Sequence, residues 1–389
     1  MSKRINRRDW LRSSALLAAG AAIAPSALQA DPIRSASTTS QFQFLDDRAI
    51  FPHHQPALRA RLLANENPYG PSAAAKEALM NAISQGNRYP MRSGRYLGSM
   101  IAEMEGVSQE QIMMSPGSTA LLDRTAIVLC SEGGQVLTAD PSYMSLVETA
   151  KNLGATWKKV KLTKDWEHDL DAMKAAITDE VKLVYICNPN NPTATITNPE
   201  KLKAFCAEVS EQVPVFVDEA YLEFLDEPEK HSMVSLVQAG KNVIISRTFS
   251  KIHGMAGLRA GYVLAQPEMI EKMQTLGWVQ WGISATTIEA ATASLKDTAF
   301  LDECRQKNKE AREFTYETLQ ALELDYLPSS ANFILFPLRM RTEAFQQAMF
   351  AKQVGIRVFE IGKRPYCRVS LGTMEEMTLF TDALKEIVG

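Results

Sequence analysis

Short runs of consecutive apolar residues alternate with stretches of helical period along most of this chain. Ser72–Ser84, Ser118–Cys130, Ser142–Leu153 and Pro199–Val209 repeat apolar positions at the spacing of an amphipathic helix. Between and after them stand "KLVYICN", "VPVFVDEA", "NVIISRTF" and "GYVLA". These runs lack a polar face, so they predict buried strands of a mostly parallel sheet sandwiched by helices. From about Gly282 the pattern changes to a long helical stretch, Asp297 to Leu322. Then come "NFILFPL", a helix over Thr342–Gln353, "GIRVFEI", "CRVSLG" and a last helix, which predict a smaller α+β unit. The fold class is α/β, with a large domain over 71–281, a small domain over 282–389, and an arm, 31–70, joining the small one.

The first thirty residues break this alternation. "MSKRINRRDWLRSSALLAAGAAIAPSALQADP" starts basic and carries no charge from Ser13 to Ala30. Pro25 and the Ala, Ser and Gly content make it a poor membrane span, so no stable membrane anchor is expected. It reads as a signal peptide over 1–30. Arg7-Arg8, followed by Asp9, Trp10 and Leu11, resembles the twin-arginine export signal and implies the export machinery as a partner and a periplasmic location. Leu28 at the minus-three position leaves the cleavage point after Ala30 loosely defined. The whole chain carries 42 Lys and Arg against 45 Asp and Glu, a net charge of −3, without the basic excess of a nucleic-acid binder. Five cysteines with no CxxC spacing predict small buried hydrophobes in preference to metal ligands or disulfides.

Chemistry concentrates where strands end. Ligands of an open α/β sheet gather at the carboxyl ends of its strands, and "DPSY", "NPNNPTA", "DEAY" and "RTFSK" stand at such ends. Asp218 closes an apolar strand, where a carboxylate is costly unless it meets a cation such as a protonated pyridine nitrogen. Tyr221 follows three residues on. Asn191 lies in a turn set by two Asn-Pro steps, which can aim its amide at a phenolate oxygen. Lys251 stands among small and hydroxyl residues, where a partly desolvated amine condenses with an aldehyde. Thr248, Ser250 and Arg259 can hold a phosphate, and "SPGST" opens a helix whose free N–H groups suit an anion. Each feature taken singly is an ordinary cap, loop or salt bridge. Their order and company point to one cofactor site.

That set, with "NENPYGPS", "RYP", "VDEAYLEF", "RTFSKIHGMAGLRAGY", "NFILF" and "CRVSLGT", resembles the class I/II, fold-type I, pyridoxal-phosphate-dependent aminotransferases. The histidinol-phosphate aminotransferase branch is the most similar, over Asn65 to Thr373. The resemblance implies pyridoxal 5'-phosphate as cofactor, an amino donor and a 2-oxo acid acceptor as substrates, and a homodimer with shared sites. It implies that Lys251 carries the cofactor as an internal aldimine and then moves the proton. Asp218 would pair with the ring nitrogen, Asn191 and Tyr221 with the phenolate oxygen, and Tyr143 would stack on the ring. Ser118, Thr119, Thr248, Ser250 and Arg259 would bind the phosphate, with Tyr89 reaching it from the neighbouring subunit. Asn65 and Tyr69 would line the substrate entrance, and Arg368 would grip the substrate carboxylate.

Three departures bear on the substrate. Ala194 stands in "NPNNPTA" where the family usually has glycine. "GSTA" lacks the acidic pair of the histidinol-phosphate branch, leaving backbone N–H groups to serve. Phe359 occupies the place of that branch's phosphate-binding arginine, while Arg357, two residues away, shares its strand face. The expected substrate is therefore a free amino acid, apolar or aromatic. A lyase, decarboxylase or racemase of the same fold stays open, because all begin from the same adduct. Keto-acid formation in step with conversion of the cofactor to its amine form separates them. A non-catalytic binding protein of this fold is the third reading, and loss of the cofactor band in a Lys251→Ala variant tests it.

Overall fold

The computed structural model describes residues 57–389. The export signal read over 1–30 and the arm up to residue 56 lie outside the described residues. The strands are β1 (Ala60–Arg61), β2 (Ile112–Ser115), β3 (Gln135–Asp140), β4 (Thr156–Lys161), β5 (Val181–Cys187) and β6 (Val215–Asp218). They continue with β7 (Val243–Thr248), β8 (Gly261–Leu264), β9 (Phe333–Pro337), β10 (Val354–Gly355), β11 (Arg357–Ile361) and β12 (Arg364–Ser370).

Seven strands form the main sheet in the order β2-β8-β7-β6-β5-β3-β4. From β7 to β4 the neighbours pair parallel, because helices such as Pro199–Val209 return the chain between them. β8 pairs antiparallel with both β2 and β7. The link from β7 to β8, residues 249–260, contains no helix to carry a parallel crossover, and it is the loop that bears Lys251. Helix starts follow the capping chemistry of the sequence. Asn198 Oδ1 accepts from Lys201 N at 3.0 Å ahead of Pro199, and Thr373 and Glu376 form a reciprocal capping box.

Val184, Ile186, Val215, Val217, Val243 and Ile245 pack against Leu202, Phe205 and Val209 in the main core. Each such side chain contributes about 1.5–3 kcal/mol on burial, so a rigid sheet edge is available to hold polar groups beyond it. Helix Ala285–Lys296 adds Ile288, Ala290 and Ala291 to this core, so main-sheet packing continues past Gly282.

β11, β12 and β9 form a second, antiparallel sheet. Its alternation sorts the residues by face. Ile334, Phe336, Cys367 and Val369 enter a core with Phe345, Met349, Met377 and Phe380. Phe333, Arg368 and Ser370 take the other face. β1 pairs parallel with β10, and Ser370 N donates to Leu62 O at 2.9 Å, which lays residues 62–70 beside β12.

Candidate active site

Strands β2, β3, β5, β6 and β7 end on one edge of the main sheet, and the segments that follow them converge there. Beyond β7, Lys251 Nζ donates to the carbonyl oxygens of Asn65 (3.1 Å) and Ala64 (3.4 Å) and lies 5.4 Å from the Tyr221 ring centroid. Burial, then the positive charge of Arg368, lowers its pKa to about 8. Roughly a tenth of the amine is therefore neutral at pH 7, far more than for an ordinary lysine.

Asp218 ends β6 and is buried. Its carboxylate accepts from Ser246 Oγ at 2.9 Å, Ala220 N at 3.2 Å and Tyr185 Oη at 3.3 Å. Burial raises its pKa, and these donors work against that rise. Ser246 pairs with Asp218 in register across β6 and β7, so the sheet itself delivers this donor. Tyr185 comes from β5. Sequence reasoning missed both, although Ser246 is a polar residue in the apolar run "NVIISRTF" and that was the available signal.

A continuous chain of hydrogen bonds joins the two sheets. Tyr221 Oη accepts from Asn65 Nδ2 (3.1 Å) and Asn191 Nδ2 (3.4 Å), while Asn191 Oδ1 accepts from Arg368 Nη1 (2.7 Å). Arg368 Nη2 donates to Leu63 O at 2.9 Å. Its guanidinium lies 5.4 Å from the ring centroids of both Phe333 and Phe359. Arg368 is only 4% exposed, and its Nε has no protein acceptor. Burial pulls its pKa down to about 10, and Arg357 adds to that fall. Ser370 and Asn332, also missed from sequence, hold the other side of Asn65: Ser370 Oγ lies 3.0 Å from its Oδ1, and Asn332 Nδ2 lies 3.1 Å from its backbone oxygen.

The anion end is built from backbone as much as from side chains. Arg259 sits at φ +59°, and its Nη1 donates to Ser250 Oγ (3.3 Å) and Ala256 O (3.0 Å). Gly117, at φ +82°, lets this guanidinium approach so closely that a Cβ there would lie 2.1 Å from Nη2. Ser118 caps helix Thr119–Cys130, and Gly261 leaves room for its N–H: a Cβ at 261 would lie 2.6 Å away. Thr248 Oγ1 accepts from Ser250 N at 3.1 Å. Tyr143 lies beside Thr119 and Ser145, and burial followed by the charge of Asp218 raises its pKa.

The remaining sequence candidates divide. Arg357 lies directly across from Arg368 in the β11–β12 register, and among the described residues no carboxylate acts on its charge. Burial lowers its pKa, with the nearby Tyr143 and Tyr221 opposing. Phe359 pairs with Tyr366, whose ring meets Trp166 at 5.7 Å. Tyr69 is not brought to the Lys251 cluster. Its ring packs beside Phe224, Ile252 and Cys304, with Lys307 Nζ at 4.4 Å, because Asn67 Oδ1 turns the 67–69 backbone that way. Tyr89 also stands apart, 76% exposed, against Trp281 at 5.9 Å. Ala194 accepts a left-handed φ of +61° in the turn after β5.

The sequence model for "Aminotransferase class I and II" matches residues 60–384. The chain belongs to this family. A histidinol-phosphate aminotransferase of Moorella thermoacetica is 36% identical over 330 residues, covering 84% of this chain and 85% of that protein. One from Akkermansia muciniphila is 35% identical over 329 residues, covering 84% and 90%. The crystal structure of histidinol-phosphate aminotransferase from Sinorhizobium meliloti, in complex with pyridoxal-5'-phosphate, matches with a TM-score of 0.81 and 27% identity over 92% of this chain and 98% of that one.

This chain is a pyridoxal-phosphate-dependent aminotransferase. The aminotransferase's own residues fit the cofactor. A buried carboxylate that, among the described residues, has no cationic partner within ion-pair distance suits a pyridinium nitrogen, and the Gly117–Arg259 cradle at a helix start suits a phosphate. The low-pKa amine suits an aldehyde. All five cysteines are buried and none forms a disulfide.

Proposed function

We propose that this aminotransferase moves an amino group between a free apolar or aromatic amino acid and a 2-oxo acid, with Lys251 as its cofactor-bearing and proton-moving residue. The observation that carries the substrate reading is Arg368: buried, with an unpartnered Nε, and flanked by the rings of Phe333 and Phe359. A planar guanidinium held this way offers a fork to one carboxylate. Where the histidinol-phosphate branch is expected to place a second cation, Phe359 offers an aromatic face, and Tyr366 and Trp166 extend that wall. An apolar side chain matches such a wall better than a phosphate dianion does.

Bound pyridoxal phosphate supplies an aldehyde for the substrate amine and a ring that accepts the electron pair released at the substrate Cα. The chain's residues do the rest. Arg259, Ser118, Thr119, Thr248 and Ser250 would hold the phosphate. Asp218, kept in place by Ser246, Ala220 and Tyr185, would hold the proton on the ring nitrogen. Asn191 and Tyr221 would orient the phenolate oxygen, and Tyr143 would cover one ring face. Lys251, with its depressed pKa, would attack as a free amine and, once released, take the Cα proton and return it one carbon away. Arg368, assisted by Arg357, would set the substrate carboxylate so that the Cα–H bond faces Lys251.

The same reading includes a homodimer and export. Tyr89, Met91, Tyr96, Trp278 and Trp281 are exposed large side chains, which supports a second copy covering this face with Tyr89 entering its site. The Arg7-Arg8 signal supports twin-arginine export to the periplasm. Among the described residues, no helix is long and apolar enough to cross a membrane. A panel of amino donors offered to the purified, cofactor-loaded protein tests the substrate reading. Turnover of apolar or aromatic amino acids is expected, and strong, selective turnover of histidinol phosphate would overturn it.

A further inference from the structure

Two residues beyond Lys251 lies a buried imidazole that the chemistry above does not use. His253 is 2% exposed. Its Nδ1 lies 2.8 Å from Ser294 Oγ and its Nε2 lies 3.2 Å from Glu223 Oε1, while its ring leans on Phe249 at 4.8 Å between centroids. Ser294 is fully buried in helix Ala285–Lys296, so this serine, histidine and glutamate have no open face at which to act as a nucleophilic triad.

What they join is informative. Glu223 lies two residues after Tyr221, on the segment that leaves Asp218. His253 lies in the loop that carries Lys251. Ser294 belongs to a helix packed in the main core. Burial pushes the Glu223 carboxyl up, but the neighbouring His253, Arg247 and Arg305 more than offset this and hold it below its ordinary range. Arg305 Nη1 also donates to Glu223 O at 3.1 Å. An apolar aromatic side chain would fill the space of His253 without placing a buried imidazole between a buried serine and a half-buried carboxylate, so packing alone does not explain the set.

The rest of the loop is tied down as well. Gly254 N donates to Lys251 O (2.9 Å), Met255 N to Phe249 O (3.0 Å), and Ile252 O accepts from Asn67 Nδ2 (2.6 Å). Gly254 sits at φ +67°, and a Cβ there would lie 2.1 Å from Gly70 O. These bonds close the loop on itself and on residues 67–70. The His253 ring ties it to the Asp218–Tyr221 segment.

We infer that His253 is a positioning residue: the Glu223–His253–Ser294 clamp fixes the Lys251 loop relative to the Asp218–Tyr221 segment and so sets where the reactive amine stands over the cofactor. The inference rests on the reading of Lys251 as the cofactor-bearing residue. A misplacement of about 1 Å at a reacting group lowers rate by up to about a hundredfold, and a clamp one remove from that group acts on part of this.

The test uses the full, cofactor-loaded protein and His253→Phe, with His253→Gln as the conservative variant that can still donate to Glu223. His253→Phe is expected to lower kcat about tenfold with KM within about twofold, and to reduce the circular dichroism of the bound cofactor. His253→Gln should restore most of both. Normal kcat and an unchanged cofactor signal in His253→Phe, whatever its melting temperature, would overturn the clamp, as would a glutamine variant no better than phenylalanine. If His253→Phe does not fold, Ser294→Ala carries the test: a lower kcat and a weaker cofactor signal are expected, and unchanged values overturn the clamp. Borohydride reduction followed by peptide mapping separates the two claims. Attachment elsewhere sinks the Lys251 reading, whereas attachment at Lys251 with normal kcat in His253→Phe sinks the clamp alone.

Discussion

Arg368 Nη1 lies 2.7 Å from Asn191 Oδ1, and the amide nitrogen of that same asparagine faces Tyr221 Oη at 3.4 Å. One side chain thus links Arg368 of the small sheet to Tyr221, just beyond β6 of the large one. Because Arg368 can only donate, it fixes which way the amide points.

Removing that link should therefore show in two measurements at once. In Asn191→Ala, Arg368 loses its stop and Tyr221 loses a donor. A hydrogen bond to a charged group contributes about 1.5–3 kcal/mol. We expect KM for the amino donor and Kd for pyridoxal phosphate each to rise about tenfold. A change in Kd alone would show that the arginine does not depend on the amide.

The Lys251 amine, brought to about pKa 8 by burial and Arg368, sets a pH profile. Only the neutral amine attacks an aldehyde. The rate at which apoprotein takes up pyridoxal phosphate should climb about tenfold per pH unit below this pKa and level off above it. Stopped-flow absorbance checks this. A rise that continues toward pH 10 would mean that the amine is not perturbed.

Gly117→Ala places a methyl group where the Arg259 guanidinium now lies, 2.1 Å from Nη2, at a φ of +82°. Arg259 must move, and a cofactor phosphate held by it would lose those charge-assisted bonds. Cofactor affinity should fall at least about tenfold, read by equilibrium dialysis against pyridoxal phosphate. Pyridoxal without its phosphate should bind both proteins alike.

Ala194→Gly goes the other way. At φ +61° an alanine is strained by about 1–2 kcal/mol. Against that relief stand about 0.8 kcal/mol for a buried methyl group and about 0.5–1 kcal/mol of glycine entropy. The terms nearly cancel, so Tm should move by no more than about 3 °C and kcat should hold.

Much of the scaffold was legible from local pattern. Apolar runs without a polar face mark β5, β6 and β7, and the motifs at their ends carry Asp218, Asn191 and Lys251. The reversal of β8 was less visible, because strand direction depends on how the 249–260 loop returns, which periodicity does not encode. Contacts across great sequence distance were hidden too. Asn65 with Ser370 and Arg368 with Asn191 are separated by 305 and 177 residues, and nothing local pairs them. Nothing local singles out His253, since its partners Glu223 and Ser294 come from separate segments. The surroundings of Tyr69 were equally hidden: the Asn67 turn lays its ring beside Phe224, Ile252 and Cys304, which come from distant segments.

The most direct test loads the purified protein with pyridoxal phosphate, reduces it with borohydride, and locates the added mass by peptide mapping. Attachment at Lys251, with the visible absorbance lost in Lys251→Ala, is what this account predicts. A colourless loaded protein, or cofactor fixed to any other lysine, would contradict it.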